Sequence, residues 1–406
     1  MEFRPILSAM RRNKVGATLI GVQMAITLAI LCNGLFIIEQ RVAYSKRPTG
    51  ADERNVFVIP NQWIGNPPDL AARLQADLAA LRGLPGVIDA FATNSVLLSN
   101  GGSSEGIKLN PEQKESTAST AVYFADEHAL NSLGLTLIAG RNFTAAEITD
   151  KNGYNDLAQP AAVIVTRALA DKLFPGKGAL GQSIYIQPEN HSIRIIGIVD
   201  RLQVPWVESW SAKFNDNSIL EPFRFVDPYV YYVVRVQPGQ LAVALQAAEK
   251  KLFELNRSRV LEDSKSLIES RAEAYQDDRG LAVILGVVCA ALVAVTAFGV
   301  VGLTSYWVAQ RRRQIGIRRA LGATRYAIVR YFQIENLMIA GAGAGLGVAL
   351  ALSLNLWMVT TFEMERLHAG YAVVGALFVM LLGQAAVLWP AVKAALAPPA
   401  LATRET

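Results

Sequence analysis

The chain has 406 residues, of which 52% are hydrophobic and only 18% are charged, and its mean hydropathy is +0.27. This balance is too apolar for a soluble protein of this length and predicts a membrane protein. The net charge of +5 does not indicate a nucleic-acid binder, because no basic surface with aromatic or base-reading partners can be recognised.

The first predicted element is a cytoplasmic amphipathic N-terminal helix over residues 1–14. Phe3, Ile6, Leu7 and Met10 follow helical spacing, and arginines fall on the other faces. Such a helix lies in the membrane interface ahead of the first span. A flank that only directs insertion explains the same residues, so both interpretations stay open.

Four uncharged apolar runs, each longer than 20 residues, can cross a hydrocarbon core about 30 Å thick. They predict transmembrane helices over 15–40, 281–308, 334–362 and 371–392. The predicted fold class is a membrane protein with four transmembrane α-helices and a large α+β extracytoplasmic domain inserted between helices 1 and 2.

The distribution of Lys and Arg predicts the orientation of these helices. The N-terminal segment, the loop over 309–333 and the tail over 393–406 together hold 13 basic residues and two acidic ones. Because positively charged loops stay in the cytoplasm, these segments are predicted inside, and residues 41–280 and the loop 363–370 outside. We therefore expect an inner-membrane protein whose large domain lies in the periplasm.

The extracytoplasmic segment begins with a predicted strand over 55–60, an amphipathic helix over 68–83 and a second extended stretch over 86–98. A strand over 228–236 and a helix over 239–256 repeat this pattern near its end. Together they predict a split α+β sandwich that is interrupted by an insertion.

The insertion is predicted as a second, smaller α+β subdomain at about 105–200. It starts within a polar Gly/Ser-rich linker over 100–117. Thr166 is a good N-cap for its second helix. The predicted elements are strands over 120–125, 161–166, 182–187 and 191–199 and short helices over 126–134 and 167–175.

The loop after the second span contains the stretch AQRRRQIGIRRALGAT, in which apolar residues and glycines interrupt five arginines. A helix on the inner membrane surface would turn Ile315, Ile317 and Leu321 toward lipid or protein, and the arginines toward water. Gly316 and Gly322 would allow a close backbone approach or a bend. The stretch is therefore a candidate for a rigid handle between two spans.

Topology alone also requires basic residues at this place. We interpret Arg311, Arg312 and Arg313 as anchors that mark the membrane boundary. Glu335, just before the third apolar run, is expected at the interface, where it can pair with an arginine of the loop.

The third span contains small residues at four-residue spacing. Gly341 with Gly345, and Gly343 with Gly347, form small-xxx-small pairs. Such pairs let helices approach closely, either within one subunit or at a subunit interface. Packing within one subunit is the favoured interpretation.

The sequence shows no catalytic, cofactor-binding or metal-binding constellation. Neither G-x-S-x-G nor H-E-x-x-H occurs, and the three histidines are scattered without metal-ligand spacing. Cys32 and Cys289 fall within predicted spans and are interpreted as packing residues. No G-x-x-x-x-G-K-[ST] loop is present to bind nucleotide phosphates, so we expect a non-catalytic chain.

Several stretches resemble the MacB/FtsX-like ABC transporter permeases, also called type VII. RRRQIGIRRALGATRYAIVRYFQIEN and the glycine-rich span after it are similar to the signature region of that family. LGLTLIAGRNFTAAE and AAVIVTRALADKLFPGKGALGQSIYIQPENHSIRIIGIVD are similar to the MacB periplasmic core, and ILSAMRRNKVGATLIGVQ and WPAVKAALAPPALATRET resemble the two ends of the family. Unlike MacB, the sequence shows no nucleotide-binding domain.

The resemblance implies that the basic loop carries a coupling helix seated in a groove of an ABC ATPase subunit. It also implies ATP and Mg on that subunit, a second permease subunit in a homo- or heterodimer and, in export systems, a periplasmic adaptor and an outer-membrane channel. Membrane lipids are further partners, and no nucleic acid is expected. The implied ATPase-coupling residues are Ile315, Gly316, Ile317, Arg318, Arg319, Leu321 and Gly322.

We expect a permease that uses ATP hydrolysis by a separate ATPase subunit to move its periplasmic domain, a mode called mechanotransmission. Spans that are almost free of polar residues favour this mode, since they offer a hydrophilic substrate no path. The MacB-like core favours efflux of peptides, antibiotics or toxins, with a lipoprotein-releasing permease similar to LolC/LolE as the alternative. A membrane-anchored periplasmic sensor is the alternative of another class, and the neighbouring genes would distinguish them.

Overall fold

The computed structural model describes residues 14–65, 67–186, 191–362 and 364–396. The amphipathic helix predicted over 1–14 lies outside these residues except for Lys14, and so does most of the tail predicted over 393–406. The helices in the described ranges are α1 (Lys14–Ser45), α2 (Leu70–Arg82), α3 (Ala129–Leu133), α4 (Arg167–Leu173), α5 (Leu241–Leu255), α6 (Leu267–Ala274), α7 (Gln276–Gln310), α8 (Arg312–Ala320), α9 (Arg325–Phe362) and α10 (Ala369–Leu396). The strands are β1 (Val56–Trp63), β2 (Val87–Thr93), β3 (Ser103–Lys108), β4 (Ala118–Phe124), β5 (Leu137–Gly140), β6 (Thr149–Asn152), β7 (Ala162–Thr166), β8 (Ser183–Ile186), β9 (Ser192–Val199), β10 (Ser218–Glu221), β11 (Phe223–Val226), β12 (Tyr229–Val236), β13 (Arg259–Leu261) and β14 (Lys265–Ser266).

The chain divides into two compact units. Among the described residues, one unit contains those up to Tyr44 and those from Asp278 onward, and the other contains those from Ser45 to Asp277. In chain order the second unit therefore lies between α1 and α7. We call them the helical unit and the extracytoplasmic unit.

Four helices in the described part of the chain, α1, α7, α9 and α10, are long and apolar enough to cross a membrane. They have 32, 35, 38 and 28 residues, so each exceeds the roughly 20 that a bilayer core requires. α9 begins at Arg325, earlier than the predicted residue 334, because nothing in RYAIVRYFQIEN interrupts a helix. Thr324 caps this start, since the Ala327 N–H donates to the Thr324 hydroxyl at 3.2 Å.

α1 contacts each of the other three long helices. The hydroxyls of Thr27 and of Thr296 on α7 share a hydrogen bond of 2.7 Å. A Cβ atom added at Gly347 of α9 would lie 2.9 Å from Cβ of Leu28, and one added at Gly383 of α10 would lie 2.7 Å from a side chain of α1. Small residues thus bring these helices close together, as is typical of membrane helix packing.

The first sheet of the extracytoplasmic unit has the strand order β13-β1-β12-β2, and β14 also pairs with β1. Its described pairings are antiparallel. α2 follows β1 and α5 follows β12, and each helix buries apolar residues three or four positions apart. The order agrees with the predicted split α+β sandwich.

The second sheet has the order β5-β9-β7-β10-β4-β3-β8 in the described residues, and β8 also pairs with β9. Six of its strands, from β9 round to β8, therefore close into a small barrel. Closure pairs strand edges that would otherwise be exposed. The buried side chains of the barrel strands include Ile107, Val122, Val163, Val165, Ile184, Ile193, Ile195 and Ile219.

The inserted part of the extracytoplasmic unit is longer than the predicted 105–200. β3 lies in the segment predicted as a linker, and β10 extends the barrel to Glu221. SSEGIK contains Ile107 as its one apolar residue with a side chain beyond Cβ, so no alternation of apolar residues marks it as a strand. Its pairing with β4, the next strand, and with β8, which is distant in the sequence, makes it one.

Candidate functional site in the basic loop

α8, Arg312–Ala320, is a short helix between α7 and α9. It ends in a Schellman motif, in which the Ala323 N–H donates to the Arg318 carbonyl at 3.0 Å and the Gly322 N–H donates to the carbonyl of Arg319 at 3.1 Å. Gly322 has a φ of +96°, which a residue without Cβ adopts readily. Gly322 therefore ends α8 and turns the chain into α9.

One face of α8 is buried against its own chain. Ile315 is 9% exposed and belongs to the apolar core of the helical unit, and Gly316 is also buried. Burying one isoleucine side chain contributes about 1.5–3 kcal/mol. Of the three apolar residues predicted to face lipid or protein, Ile315 thus faces protein and holds α8 in place.

A buried ion pair joins the start of α8 to α9. Nη1 of Arg311, the residue before α8, donates to Oε2 of Glu335 at 2.8 Å, and the two side chains are 15% and 4% exposed. The same nitrogen lies 3.4 Å from the Tyr331 hydroxyl. The predicted pairing of Glu335 with a loop arginine is confirmed. Arg311, interpreted as a boundary anchor, is thus paired within the protein, whereas an arginine that only anchors extends to water.

Arg318 also contacts α9. Its guanidinium carbon lies 5.2 Å from the centre of the Tyr331 ring, within the range of a cation–π interaction. The residue remains exposed on its other side. Tyr331 therefore lies next to two arginines, Arg311 and Arg318, which both come from the α8 segment.

The outward face of α8 carries two apolar side chains. Ile317 is 49% exposed and Leu321 is 83% exposed. Arg313, four residues before Ile317, is exposed as well. Residues four apart lie on the same side of a helix, so these three form one surface, which we call the outward face.

The glycines of the third span fall on two faces of α9. A Cβ atom added at Gly343 would lie 2.7 Å from the carbonyl oxygen of Gly21, and one at Gly347 would lie 3.0 Å from a backbone atom of α1. Gly341 and Gly345 have no atom within 4 Å of the corresponding position among the described residues. The first pair packs within the chain, and the second pair leaves a shallow surface of small residues.

Buried carboxyl groups lie in the extracytoplasmic unit. Burial, together with the nearby charge of Glu105, raises the pKa of Glu221 to about 8. Burial also raises the pKa of Glu105 to about 6 and the pKa of Asp126 to about 6. We therefore expect the stability of this unit to depend on pH.

Metal and thiol chemistry find no support in the described residues. No group of three or more His, Cys, Asp or Glu side chains in these ranges could hold a metal ion. Cys32 and Cys289 are buried and form no disulfide. Each lies against a glycine of a neighbouring helix, since a Cβ atom at Gly375 would approach the Cys32 sulfur to 2.6 Å and one at Gly34 the Cys289 sulfur to 2.9 Å.

Four membrane-length helices, an α+β unit between the first two in chain order, and a basic helix between the second and third are the arrangement expected of a multi-span membrane protein. Residues 15–252 match the family model described as the MacB-like periplasmic core domain. Residues 286–399 match the model described as the FtsX-like permease C-terminal region. The chain belongs to the MacB/FtsX-like family of ABC transporter permeases.

Curated relatives of this chain belong to the same kind of transporter. The uncharacterized ABC transporter permease YknZ of Bacillus subtilis (strain 168) is 24% identical over 312 residues, which cover 74% of this chain and 72% of YknZ. The macrolide export ATP-binding/permease protein MacB of Azoarcus sp. (strain BH72) is 25% identical over 249 residues, covering 57% of this chain and 35% of MacB.

Two solved structures are also similar to part of the chain. The extracellular domain of the ABC-type transporter YknZ from Gram-positive bacteria is 16% identical, covers 51% of this chain and 100% of that domain, and has a TM-score of 0.33. The periplasmic region of MacB from Actinobacillus actinomycetemcomitans is 14% identical, covers 56% of this chain and 95% of that region, and has a TM-score of 0.34.

Proposed function

We propose that this chain is the transmembrane subunit of a MacB-like ABC transporter in which ATP hydrolysis by a separate ATPase subunit moves the extracytoplasmic unit. This movement drives efflux of peptides, antibiotics or toxins from the periplasm. The observation that best supports the proposal is α8, which is held to its own chain on one side and carries Ile317 and Leu321, 49% and 83% exposed, on the other.

The outward face of α8 is the proposed contact with the ATPase subunit. Apolar side chains beside an arginine are typical of the buried centre of protein interfaces, where Lys, Asp and Glu are depleted. The implied coupling residues then divide into three sets. Ile317, Leu321 and Gly322 face the ATPase, whereas Ile315, Gly316 and Arg318 hold the helix to the rest of the chain, and Arg319 lies on its flank.

The inner contacts of α8 offer a route by which its movement passes to the rest of the chain. The Arg311–Glu335 pair and Tyr331 connect it to α9, and α9 packs against α1 through Gly343 and Gly347. Because packed helices move as rigid elements, a displacement of α8 displaces α9 and α1 with it. α1 leads directly into the extracytoplasmic unit, so no substrate has to pass between the helices.

The relatives favour export as the function of this chain's transporter. Two kinds of relative are named for export, of macrolides and of pyoverdine, and both are described as ATP-binding/permease proteins. YknZ and a second permease, YvrN, are described as permeases and match over 72% and 69% of their lengths. This chain lacks a phosphate-binding loop, so ATP and Mg belong on a partner ATPase subunit.

The proposal includes an arrangement in the cell. The helical unit spans the inner membrane with α8 in the cytoplasm, and residues 41–280 lie in the periplasm, as the arginine-rich loop predicts. A second permease subunit, identical or similar, completes the transmembrane part. A periplasmic adaptor and an outer-membrane channel would carry the substrate onward.

The double substitution Ile317→Asp with Leu321→Asp tests the contact with the ATPase. The ATPase subunit is first identified by mass spectrometry of proteins that co-purify with the parent chain. Losing two apolar anchors of an interface costs about 1–2 kcal/mol each, so retention of the ATPase should fall at least about tenfold. The chain should still be present in membranes at the parent level.

Two control variants separate docking from folding. Ile317→Leu with Leu321→Met keeps the apolar surface and should retain the ATPase. Tyr326→Asp places a charge at a 73% exposed position at the start of α9, off the outward face, and should also retain it. If the double aspartate variant bound the ATPase and supported hydrolysis and transport like the parent, α8 would not be the coupling helix.

A further inference from the structure

The chain enters and leaves the extracytoplasmic unit through two segments that one side chain joins. α1 ends at Ser45, and α6 leads into α7, which begins at Gln276. The guanidinium of Arg271, in α6, donates hydrogen bonds to the carbonyl of Ser45 at 2.7 Å and to the carbonyl of Arg47 at 2.8 Å. Arg271 therefore ties the end of α1 to the segment just before α7, although it lies 226 positions from Ser45 in the sequence.

Glu53 binds the same guanidinium with both carboxylate oxygens. Nε of Arg271 donates to Oε2 of Glu53 at 2.6 Å and Nη2 donates to Oε1 at 2.7 Å, and the two side chains are 14% and 20% exposed. The Thr49 hydroxyl also donates to Oε1, at 2.6 Å. Burial raises the pKa of Glu53, but the hydrogen bonds from Arg271 and Thr49 outweigh burial and leave the pKa below its ordinary value. The carboxylate therefore stays charged, and a bidentate pair of this kind fixes the orientation of both segments.

Gln203 joins the barrel to the same two segments. It is fully buried and lies in the stretch that follows β9. Its backbone N–H donates to the Thr49 carbonyl at 2.8 Å, and its Nε2 donates to the hydroxyl of Tyr275, the residue before α7, at 3.1 Å. Its backbone carbonyl accepts a hydrogen bond of 2.6 Å from the hydroxyl of Tyr123, in β4. One residue thus contacts the chain after α1, the chain before α7 and a strand of the barrel.

The chain after α1 also lies directly against the stretch that contains Gln203. A Cβ atom added at Gly50 would lie 2.1 Å from the carbonyl oxygen of Arg201, and Gly50 has a φ of +91°. Only glycine fits such a position. The Ser218 hydroxyl, in β10, donates to the carbonyl of Leu202 at 2.8 Å, which holds this stretch to the barrel.

We propose that these contacts form a joint that fixes the barrel to both connections, so that a displacement of α1 and α7 carries the barrel with it. The inference rests on the proposed function for the displacement, whereas the joint itself can be tested without the ATPase subunit. A buried ion pair adds little stability over well-packed apolar side chains, but its bidentate geometry sets the relative position of the groups it joins. The members of the joint are positioning residues, and they are Thr49, Glu53, Tyr123, Gln203, Arg271 and Tyr275.

The first sheet offers a second route for the same displacement. β1 follows the chain after α1, β14 precedes α6, and the two strands pair with each other. If the first sheet alone transmitted the displacement, the barrel would not keep a fixed distance from the start of α7. The distance between these two places therefore distinguishes the joint from the first sheet.

The first measurement uses the full-length chain in detergent, without the ATPase subunit. Gln276→Cys at the start of α7 and Lys177→Cys between α4 and β8, both at exposed positions, carry spin labels for double electron–electron resonance. The buried Cys32 and Cys289 are replaced by alanine. The labelled parent should give one narrow distance distribution.

Two substitutions open the joint from different sides. Tyr123→Phe removes the hydroxyl that bonds Gln203, and Arg271→Met removes the bonds to the end of α1. Each should broaden the distance distribution, because the barrel is then no longer held to the segment before α7. Arg271→Met leaves the charge of Glu53 buried, so Tyr123→Phe serves if that variant does not fold.

Matched controls separate the joint from general stability. Tyr232→Phe also removes a hydrogen bond of 2.6 Å from a buried tyrosine, here to Asp77 in the sandwich. It should lower the melting temperature at least as much as Tyr123→Phe does and leave the distribution narrow. Arg141→Met breaks the exposed bidentate pair with Glu147, at 2.7 and 2.8 Å, and should leave the distribution narrow as well.

The second measurement adds the co-purified ATPase subunit with ATP, Mg and vanadate. The distance should stay constant in the parent and shift in Tyr123→Phe, while the rate of ATP hydrolysis without vanadate is the same in both. A broad distribution in the parent, or distributions of Tyr123→Phe and Arg271→Met as narrow as that of Tyr232→Phe, would overturn the joint. If both variants broadened the distribution but nucleotide shifted it in neither, the joint would stand and the proposed ATP-driven movement would fail.

Discussion

Replacing Glu335 with glutamine should loosen α8 from α9. The carboxylate accepts a hydrogen bond of 2.8 Å from Arg311, and the two side chains are only 4% and 15% exposed. Removing one partner of a buried ion pair costs about 3–5 kcal/mol, because the remaining charge stays buried without compensation. Glutamine has nearly the same volume as glutamate, so no cavity adds to this cost. The small residual exposure of Arg311 and its contact with Tyr331 place the expected loss near the lower limit, at about 3 kcal/mol.

A double-mutant cycle isolates the ion pair. Arg311→Gln should destabilise the helical unit to a similar degree, since it leaves the Glu335 carboxylate buried and unpaired. The double variant should be more stable than the sum of the two losses predicts, because no unpaired charge remains. The measurements are the free energy of unfolding in detergent and amide hydrogen exchange in α8, with exposed Arg325→Gln as the matched control.

The cycle can refute the role of the ion pair in holding α8. If Glu335→Gln and Arg311→Gln each changed the free energy of unfolding no more than Arg325→Gln does, the pair would not hold α8. Arg311 would then be a topology signal like its neighbours, and the route from α8 to α9 would rest on Ile315 and Tyr331 alone.

Three further predictions concern the rest of the chain. Gly347→Leu should destabilise the helical unit by at least about 1–3 kcal/mol, because its Cβ would lie 2.9 Å from that of Leu28, whereas Gly345→Leu should fold normally. Equal melting temperatures for the two variants would contradict the packing of α9 on α1. If Gly345→Leu lost self-association in light scattering, Gly345 would lie at a subunit interface. Burial raises the pKa of Glu221 to about 8 from an ordinary value of 4.5, so its contribution to stability is fully present below pH 4.5 and is lost as the pH rises through 8. The free energy of unfolding in urea should therefore decrease between pH 5 and 8, and Glu221→Gln should make this decrease smaller. Identical pH profiles of the parent and the variant would refute this role of Glu221. A reporter that is active only outside the cytoplasm should be silent when fused after Thr324, and activity there would reverse the predicted orientation.

The four long helices and the helical handle could be predicted from the sequence, because both depend on local properties. An uncharged apolar run of more than 20 residues can satisfy its backbone in a membrane only as a helix, whatever its neighbours are. The end of α8 is local in the same way, since Gly322 supplies the left-handed conformation that the Schellman motif requires. The strand and helix repeats that build the first sheet were recognisable for the same reason, from apolar periodicity within each segment.

Contacts between segments decided those parts of the fold and of the helix packing that the sequence did not predict. β3 carries almost no strand signal, and it becomes a strand because the neighbouring strand β4 and the distant strand β8 both pair with it. Nor does local spacing distinguish Gly343 from Gly345, since both belong to small-residue pairs, and only the position of α1 separates a packed face from an open one.

The arginines of the basic loop show most clearly which properties are local and which depend on tertiary contacts. Composition established that this loop is positively charged, and charge alone was enough to predict its side of the membrane. It could not assign a role to each arginine, because the role depends on which side chain faces it from another helix. Only the folded chain brings Glu335 to Arg311 and Tyr331 to Arg318.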